Sequence, residues 1–165
     1  MSTTLYENSS LSEKLEDKLV VADTSSLLMV GTGLLNVLKN CTLVIPSVVV
    51  KELEEKRNHS TLGFLSREWI RRLEVLRKEY DKKLGDGVIV PGYDNVCMKV
   101  EPNHSTQKSL PEHLQDGSND STVLAVAKNL LKDVGDKVVI LSNDAPMRLH
   151  ATLDIGIPSF EFNST

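Results

Sequence analysis

No apolar run in the sequence approaches the roughly 18–20 residues that cross a bilayer. The N-terminus, MSTTLYENSSLSEKLEDK, has neither a basic start nor an apolar stretch of signal-peptide length. A soluble, cytoplasmic chain with no membrane partner is expected. Cysteine is scarce: Cys41 and Cys97 cannot build a disulfide framework or a zinc site of the usual spacing, and read as structural thiols. Aromatics are 4% of residues, with Trp69 the one tryptophan, so Leu, Val, Ile and Ala must fill the core. Surplus positive charge is missing too. Nineteen basic residues against 23 acidic ones give a net charge of −4, which excludes nucleic-acid binding by bulk charge but not by a local basic face. What remains is 165 residues of ordinary globular composition, enough for one domain with a real core.

Residues 1–16 are polar and Ser-rich and read as a flexible arm, leaving 17–165 as a single domain. KLVVAD (Lys18–Asp23) is a short apolar run ending on an acid, a buried strand of the parallel type. A helical stretch around Leu34–Leu38 precedes a second strand, Cys41–Ile45, which Pro46 halts before a helix over Ser47–Arg57. Leu62, Leu65, Trp69, Leu73, Leu76 and Tyr80 then recur at steps of three and four, the stripe of an amphipathic helix. Short strands are expected at Val88–Val90 and Asn95–Val100, the second alternating as an edge strand does. Residues 101–118 form a polar loop long enough to suggest function or mobility. Ser118 or Asn119 caps the next helix, KVVIL (Lys137–Leu141) is a buried strand, Pro146 starts a short helix to Leu153, and Ile157–Phe162 is the last strand. Strands alternating with helices predict a three-layer α/β/α sandwich around a mainly parallel sheet.

In such a sheet ligands sit beyond the carboxyl ends of the strands. The first strand ends in Asp23-Thr24-Ser25, and the second leads through Pro46 to Glu52. The helix after the long loop opens Asn119-Asp120-Ser121, and KVVIL exits into Ser142-Asn143-Asp144. Taken singly, Asp23, Asp120 and Asp144 could each cap a helix, and Glu52 in E-L-E-E could be a solvated face. Together, four segments deliver four carboxylates to one end of the sheet. Carboxylates held close repel unless a cation is present, and an all-oxygen donor set without His or Cys suits Mg²⁺ or Mn²⁺. Hydrolysis of a phosphodiester, with two metals most effectively, is the matching chemistry.

These residues also carry a resemblance. V-V-A-Asp23-Thr24-Ser25, V-I-P-S-V-V-V-K-Glu52-L, N-Asp120-S-T-V-L-A-V-A and L-S-N-Asp144 resemble, in order, the four acidic motifs of the PIN domain. The likeness runs from about residue 18 onward. Lys51–Glu68, Val100–Ser105 with Leu110–Pro111, and Ser142–Leu149 resemble more specifically the N-terminal PIN domain of PhoH-like proteins, in which it is joined to a PhoH ATPase. The resemblance implies a metal-dependent ribonuclease fold with Asp23, Glu52, Asp120 and Asp144 as metal-binding acids. Thr24, Ser25 and Ser142 would hydrogen-bond and orient them. Asn119 and Asn143 flank two acids and either join in that role or cap helices. No G-x-x-x-x-G-K-[ST] occurs, so the ATPase is expected outside these 165 residues, as a partner domain of a longer protein, unless the PIN domain stands alone.

RNA binding would need a local patch, for which Arg57, Arg67, Arg71 and Arg148 are the candidates, with Lys51, Lys56 and Arg72 nearby. The alternative is a solvated face paired within itself, for example Arg67 or Arg71 with Glu74. His59, His104, His113 and His150 show no ligand spacing in the chain; His59 and His104 face RNA or are solvated loop residues. Three functions stand open at this point: an endoribonuclease cutting single-stranded RNA, a non-catalytic module serving a PhoH-like ATPase, and a homo-oligomeric scaffold held by an antitoxin-like partner.

Overall fold

The computed structural model of the chain describes residues 11–135 and 137–162. Its frame is a six-stranded sheet of β1 (Leu19–Ala22), β2 (Lys39–Pro46), β3 (Val88–Ile89), β4 (Asp94–Glu101), β5 (Val138–Leu141) and β6 (Ser159–Phe160), in the order β3-β4-β2-β1-β5-β6. All neighbours pair in parallel except β3, which runs antiparallel to β4. The helices are α1 (residues 11–15), α2 (Thr24–Val30), α3 (Ser47–Lys56), α4 (Gly63–Tyr80), α5 (Asn119–Val134) and α6 (Ala145–Leu149). This is the expected three-layer sandwich.

The central strands explain why the sheet is parallel. Val20, Val21 and Ala22 of β1 and all four residues of β5 are buried, so both faces of these strands need cover, which crossover helices supply. The chain steps outward from β1 to β2 and β4, then returns through α5 to place β5 on the other side of β1. That reversal opens a crevice at the carboxyl ends of β1 and β5, where the Asp23 N–H donates to the Leu141 carbonyl (3.2 Å).

Long α4 lies on the core through Trp69, Leu73 and Leu76, while Leu62, Leu65 and Tyr80 of the expected stripe are only half-buried. The Trp69 Nε1–H donates to the Leu27 carbonyl of α2 (2.7 Å), and the Ser66 hydroxyl to the Leu53 carbonyl of α3. These bonds satisfy buried polar groups between helices that apolar contact alone would leave free to slide.

Several expectations are corrected. Residues 1–10 of the expected arm lie outside the described residues. Residues 11–15 are helical, and Leu11 and Leu15 enter the core, so the packed region starts earlier than Ser-rich composition suggested. β4 is an inner strand, covered by β3 and paired over seven registers with β2; its alternation reflects half-burial on one face. Helix begins at Thr24 and passes at Gly31–Asn36 into a tighter 3-10 turn, earlier than the stretch expected at Leu34–Leu38. The last strand shrinks to Ser159–Phe160. Residues 101–118 contain 3-10 turns at Gln107–Ser109 and Glu112–Leu114, and buried Asn129 of α5 donates to the carbonyls of His104 (2.7 Å) and Thr106 (3.0 Å). The long loop is therefore fastened to α5.

Candidate active site

Asp23, Glu52, Asp120 and Asp144 line one cavity of about 530 Å³ at the carboxyl end of the sheet, with Thr24, Ser25 and Asn143 beside them. Leu28, Met29 and Leu62 form its apolar wall, and Lys56 brings one cation to its rim.

Asp23 is the buried member, 5% exposed, and two hydroxyls hold it. Ser25 Oγ accepts the Asn143 backbone N–H (2.9 Å) and donates to Asp23 Oδ1 (2.7 Å). Ser142 Oγ accepts the Asp144 backbone N–H (3.0 Å) and donates to Asp23 Oδ2 (2.5 Å). Each hydroxyl thus relays an N–H of the turn after β5 to one oxygen of the acid after β1. The Ser26 N–H adds a third bond to Oδ1 (3.0 Å), the N-cap of α2. Asp23 is both cap and pocket acid, so the two readings of this residue do not compete. A carboxylate offers about four lone-pair sites, so three donors leave room for a further ligand.

Glu52 lies half-buried on α3, and Thr24 Oγ1 donates to its Oε1 (3.0 Å). Desolvation, with Asp120 and Asp23 nearby, raises its carboxyl above the usual range, against the lowering effects of the Thr24 hydroxyl and Lys56. Asp120 sits in the first turn of α5, open to solvent on one side and walled by other acids on the other. Partial desolvation, then Asp144, Asp23 and Asp116, raise its carboxyl too. The helix cap belongs to Ser118, whose Oγ accepts the Ser121 N–H (3.1 Å), so Asp120 is not a cap. Asp144 occupies the N-cap of α6 but makes no capping hydrogen bond with its side chain. Lys56 offsets part of the rise at Glu52 and His150 part of that at Asp120, and both carboxyls still stand above their ordinary values, as expected of crowded acids.

Of the other expected residues, Asn143 borders the cavity but commits its amide to another partner, and the rest fall elsewhere. The Asn143 amide clasps residue 162, donating to the Phe162 carbonyl (2.6 Å) and accepting its N–H (3.0 Å), and so caps no helix. Asn119 is exposed on the first turn of α5. Arg148 donates to the Ser142 carbonyl (2.9 Å) and faces Glu161 (3.4 Å), bracing the turn that carries Asp144. Arg67 donates to the Arg57 carbonyl, tying α4 to the end of α3, and Arg71 lines a different cavity with Thr32, Glu68 and Arg72. Glu74 pairs with Arg77 rather than with Arg67 or Arg71. His104 bridges Asp133 of α5 (2.6 Å) and lies 3.4 Å from Glu101, so it is neither free in solvent nor turned to the pocket. Glu101, buried at the end of β4, escaped the sequence reading although it too ends a parallel strand; Lys99 (2.9 Å) and the Asn103 N–H (3.0 Å) occupy it.

The donor set of the pocket fits a hard divalent cation: carboxylate oxygens from four segments, hydroxyls behind them, and neither cysteine nor histidine among its lining residues.

Comparison with known proteins identifies the family. A family model described as PIN domain matches residues 20–163. Protein PhoH2 of Thermobispora bispora is 37% identical over 160 residues, covering 94% of this chain and 34% of that protein. Protein PhoH2 of Mycolicibacterium smegmatis is 34% identical over 122 residues (74% and 27%), and that of Bacillus subtilis 30% over 151 residues (88% and 33%). The chain thus spans about a third of the length of these curated relatives. A solved domain of a functionally unknown protein from Methanocaldococcus jannaschii shares the fold, with a TM-score of 0.53 at 22% identity over 90% of this chain and 93% of that one.

Proposed function

The chain belongs to the PIN domain family, and on that premise we propose that it is a metal-dependent endoribonuclease that hydrolyses phosphodiester bonds of single-stranded RNA. PIN domains are generally nucleases, and the observation that carries the reading is the convergence of Asp23, Glu52, Asp120 and Asp144 on one cavity at the point where the strand order reverses. Degeneration of the site would have removed one or more of these acids.

Asp23, Glu52, Asp120 and Asp144 would hold Mg²⁺ or Mn²⁺, which when bound lowers the pKa of water and offsets charge on the phosphate. Ser25 and Ser142 keep the Asp23 carboxylate in one orientation, so little reorganisation is needed when the site fills. Thr24 does the same for Glu52. Lys56 attracts the phosphate backbone toward the acids, while Leu28, Met29 and Leu62 give an unpaired base or sugar an apolar surface. A backbone-directed grip of this kind reads little sequence. By analogy with the length and name of the PhoH2 relatives, a PhoH-like ATPase would feed RNA to this domain in a longer protein.

A fluorogenic single-stranded RNA incubated with the chain and Mn²⁺ or Mg²⁺ is the test. Cleavage that EDTA stops and Asp23→Asn abolishes is the expected result, since Asn preserves shape and removes the charge. A wild-type rate in Asp23→Asn overturns the assignment. RNA binding without cleavage under every metal makes the domain a non-catalytic module.

A further inference from the structure

The histidines that are unrelated by spacing in the chain meet in space. His113, on the 3-10 turn Glu112–Leu114 of the long loop, places Nε2 3.3 Å from Asp154 Oδ2. His150 places Nδ1 2.6 Å from the same oxygen. The three ligand atoms lie within 4.8 Å of one another. The rings are splayed, 54° apart with centroids 6.3 Å from each other, so they do not stack; one nitrogen of each approaches the same Asp154 oxygen. His150 and Asp154 bound a single π-helical turn, His150–Asp154, an irregularity often found at functional positions.

We propose that His113 Nε2, His150 Nδ1 and Asp154 Oδ2 form a second metal site, separate from the four-acid pocket and selective for a borderline transition ion of the Zn²⁺ class. Ligand softness sets the division. Two imidazoles and one carboxylate suit Zn²⁺ or Co²⁺, whereas the four carboxylates of the pocket, with no histidine or cysteine beside them, suit Mg²⁺ and Mn²⁺. The geometry is close to what the ion needs. Metal–ligand bonds of about 2.0–2.1 Å in a tetrahedron put ligand atoms about 3.3 Å apart. The His113–Asp154 pair already has that separation, and the His150–Asp154 pair must open by less than about 1 Å. Three protein donors leave the remaining coordination to water. The ion takes only an unprotonated imidazole nitrogen and an ionised carboxylate, so binding weakens in acid.

The three residues come from two segments, and none of them lines the acid pocket. His113 lies on the loop that leads to α5 and Asp120; His150 and Asp154 follow α6 and Asp144. An ion here clips those two segments together. The site's role is to fix the loop, and it depends in no way on the nuclease reading.

Co²⁺ titration of the 165-residue chain, followed by visible absorption, tests this directly. Co²⁺ held by imidazole in a four-coordinate site absorbs strongly, and in a six-coordinate oxygen site only weakly. The expected result is a strong band that saturates at one ion per chain and is displaced by Zn²⁺. It persists in Asp23→Asn and in His104→Ala. His113→Ala and His150→Ala each weaken it by more than about tenfold, since even indirect partners of metal ligands cost that much. Both side chains are well exposed (60% and 43%), so the variants should fold, and circular dichroism confirms it. A band absent from the wild type, or unchanged in the two histidine variants, overturns the proposal.

Discussion

Ser142 shows how much of this site depends on one hydroxyl. It is fully buried, donates to Asp23 and accepts from the Asp144 N–H, so it joins two acid-bearing segments with a single oxygen. Ser142→Ala leaves the Asp144 N–H and one Asp23 oxygen without partners, which costs about 1–3 kcal/mol. The more telling outcome is the metal requirement. The Mn²⁺ concentration for half-maximal RNA cleavage should rise about 10–100-fold, because partners that orient ligands contribute that much. An unchanged Mn²⁺ requirement alongside a lowered melting temperature would make Ser142 a purely structural residue. At this scale the convergence of the four acids on one cavity was legible in the sequence, since Asp23 and Asp144 lie just beyond apolar strands, Asp120 opens a helix and Glu52 lies on the helix that follows β2. The roles of Asn143 and Arg148 were not, because both serve partners at residues 161 and 162 that only the closed sheet brings near. Glu101 likewise looked like loop polarity until Lys99 and His104 were seen around it.

Between α3 and α4 the packing turns on a glycine. A Cβ at Gly63 would stand 2.6 Å from the Arg57 carbonyl oxygen, and a backbone atom cannot swing aside as a side chain can. Gly63 lets α4 start directly against the end of α3, the same place where the Arg67 guanidinium meets the Arg57 carbonyl. Gly63→Ala should therefore destabilise by about 1–3 kcal/mol through overpacking, despite alanine's better helix propensity. At about 2–4 °C per kcal/mol for this length, the melting temperature falls by about 2–12 °C. Gly33→Ala is the comparison, with nothing within 4 Å of its added methyl. Equal melting temperatures for the two variants would refute the close-packing account. Elements with strong periodicity, β1, β5, α4 and α5, were readable from sequence because burial on one face or both leaves an apolar signature. α1, the inner position of β4 and the π-helical turn were not. Each depends on a neighbour distant in the chain: the core under Leu11 and Leu15, the β3 hairpin over β4, and the contact of His150 with Asp154.

Across the whole molecule, crowded carboxylate charge links metal, pH and stability. Glu52 and Asp120 have carboxyls raised in the folded state. A group with a raised folded pKa stabilises the fold fully below its unfolded value and loses that contribution as pH rises through the folded value. The metal-free protein should therefore lose stability from this pocket as the two acids ionise on the way from acid to neutral pH. A cation reverses that loss. At a concentration of about 100 times its dissociation constant, Mn²⁺ stabilises by about 2.7 kcal/mol, or about 5–11 °C. The gain should be smaller below the raised carboxyl values, where protons occupy the ligands. Asp144→Asn separates charge from shape in this balance. Asp144 makes no capping bond with its side chain, and it is the strongest charged neighbour pushing up Asp120. Removing its charge should raise the melting temperature in EDTA and reduce the Mn²⁺-induced rise, because three carboxylates repel less and also bind less. If Asp144 served only its helix, asparagine would replace it with little change in EDTA and the Mn²⁺ response would be undiminished. Differential scanning fluorimetry of both proteins, with EDTA and with Mn²⁺, distinguishes the outcomes. An undiminished response leaves a centre of three acids, Asp23, Glu52 and Asp120, with Asp144 outside it.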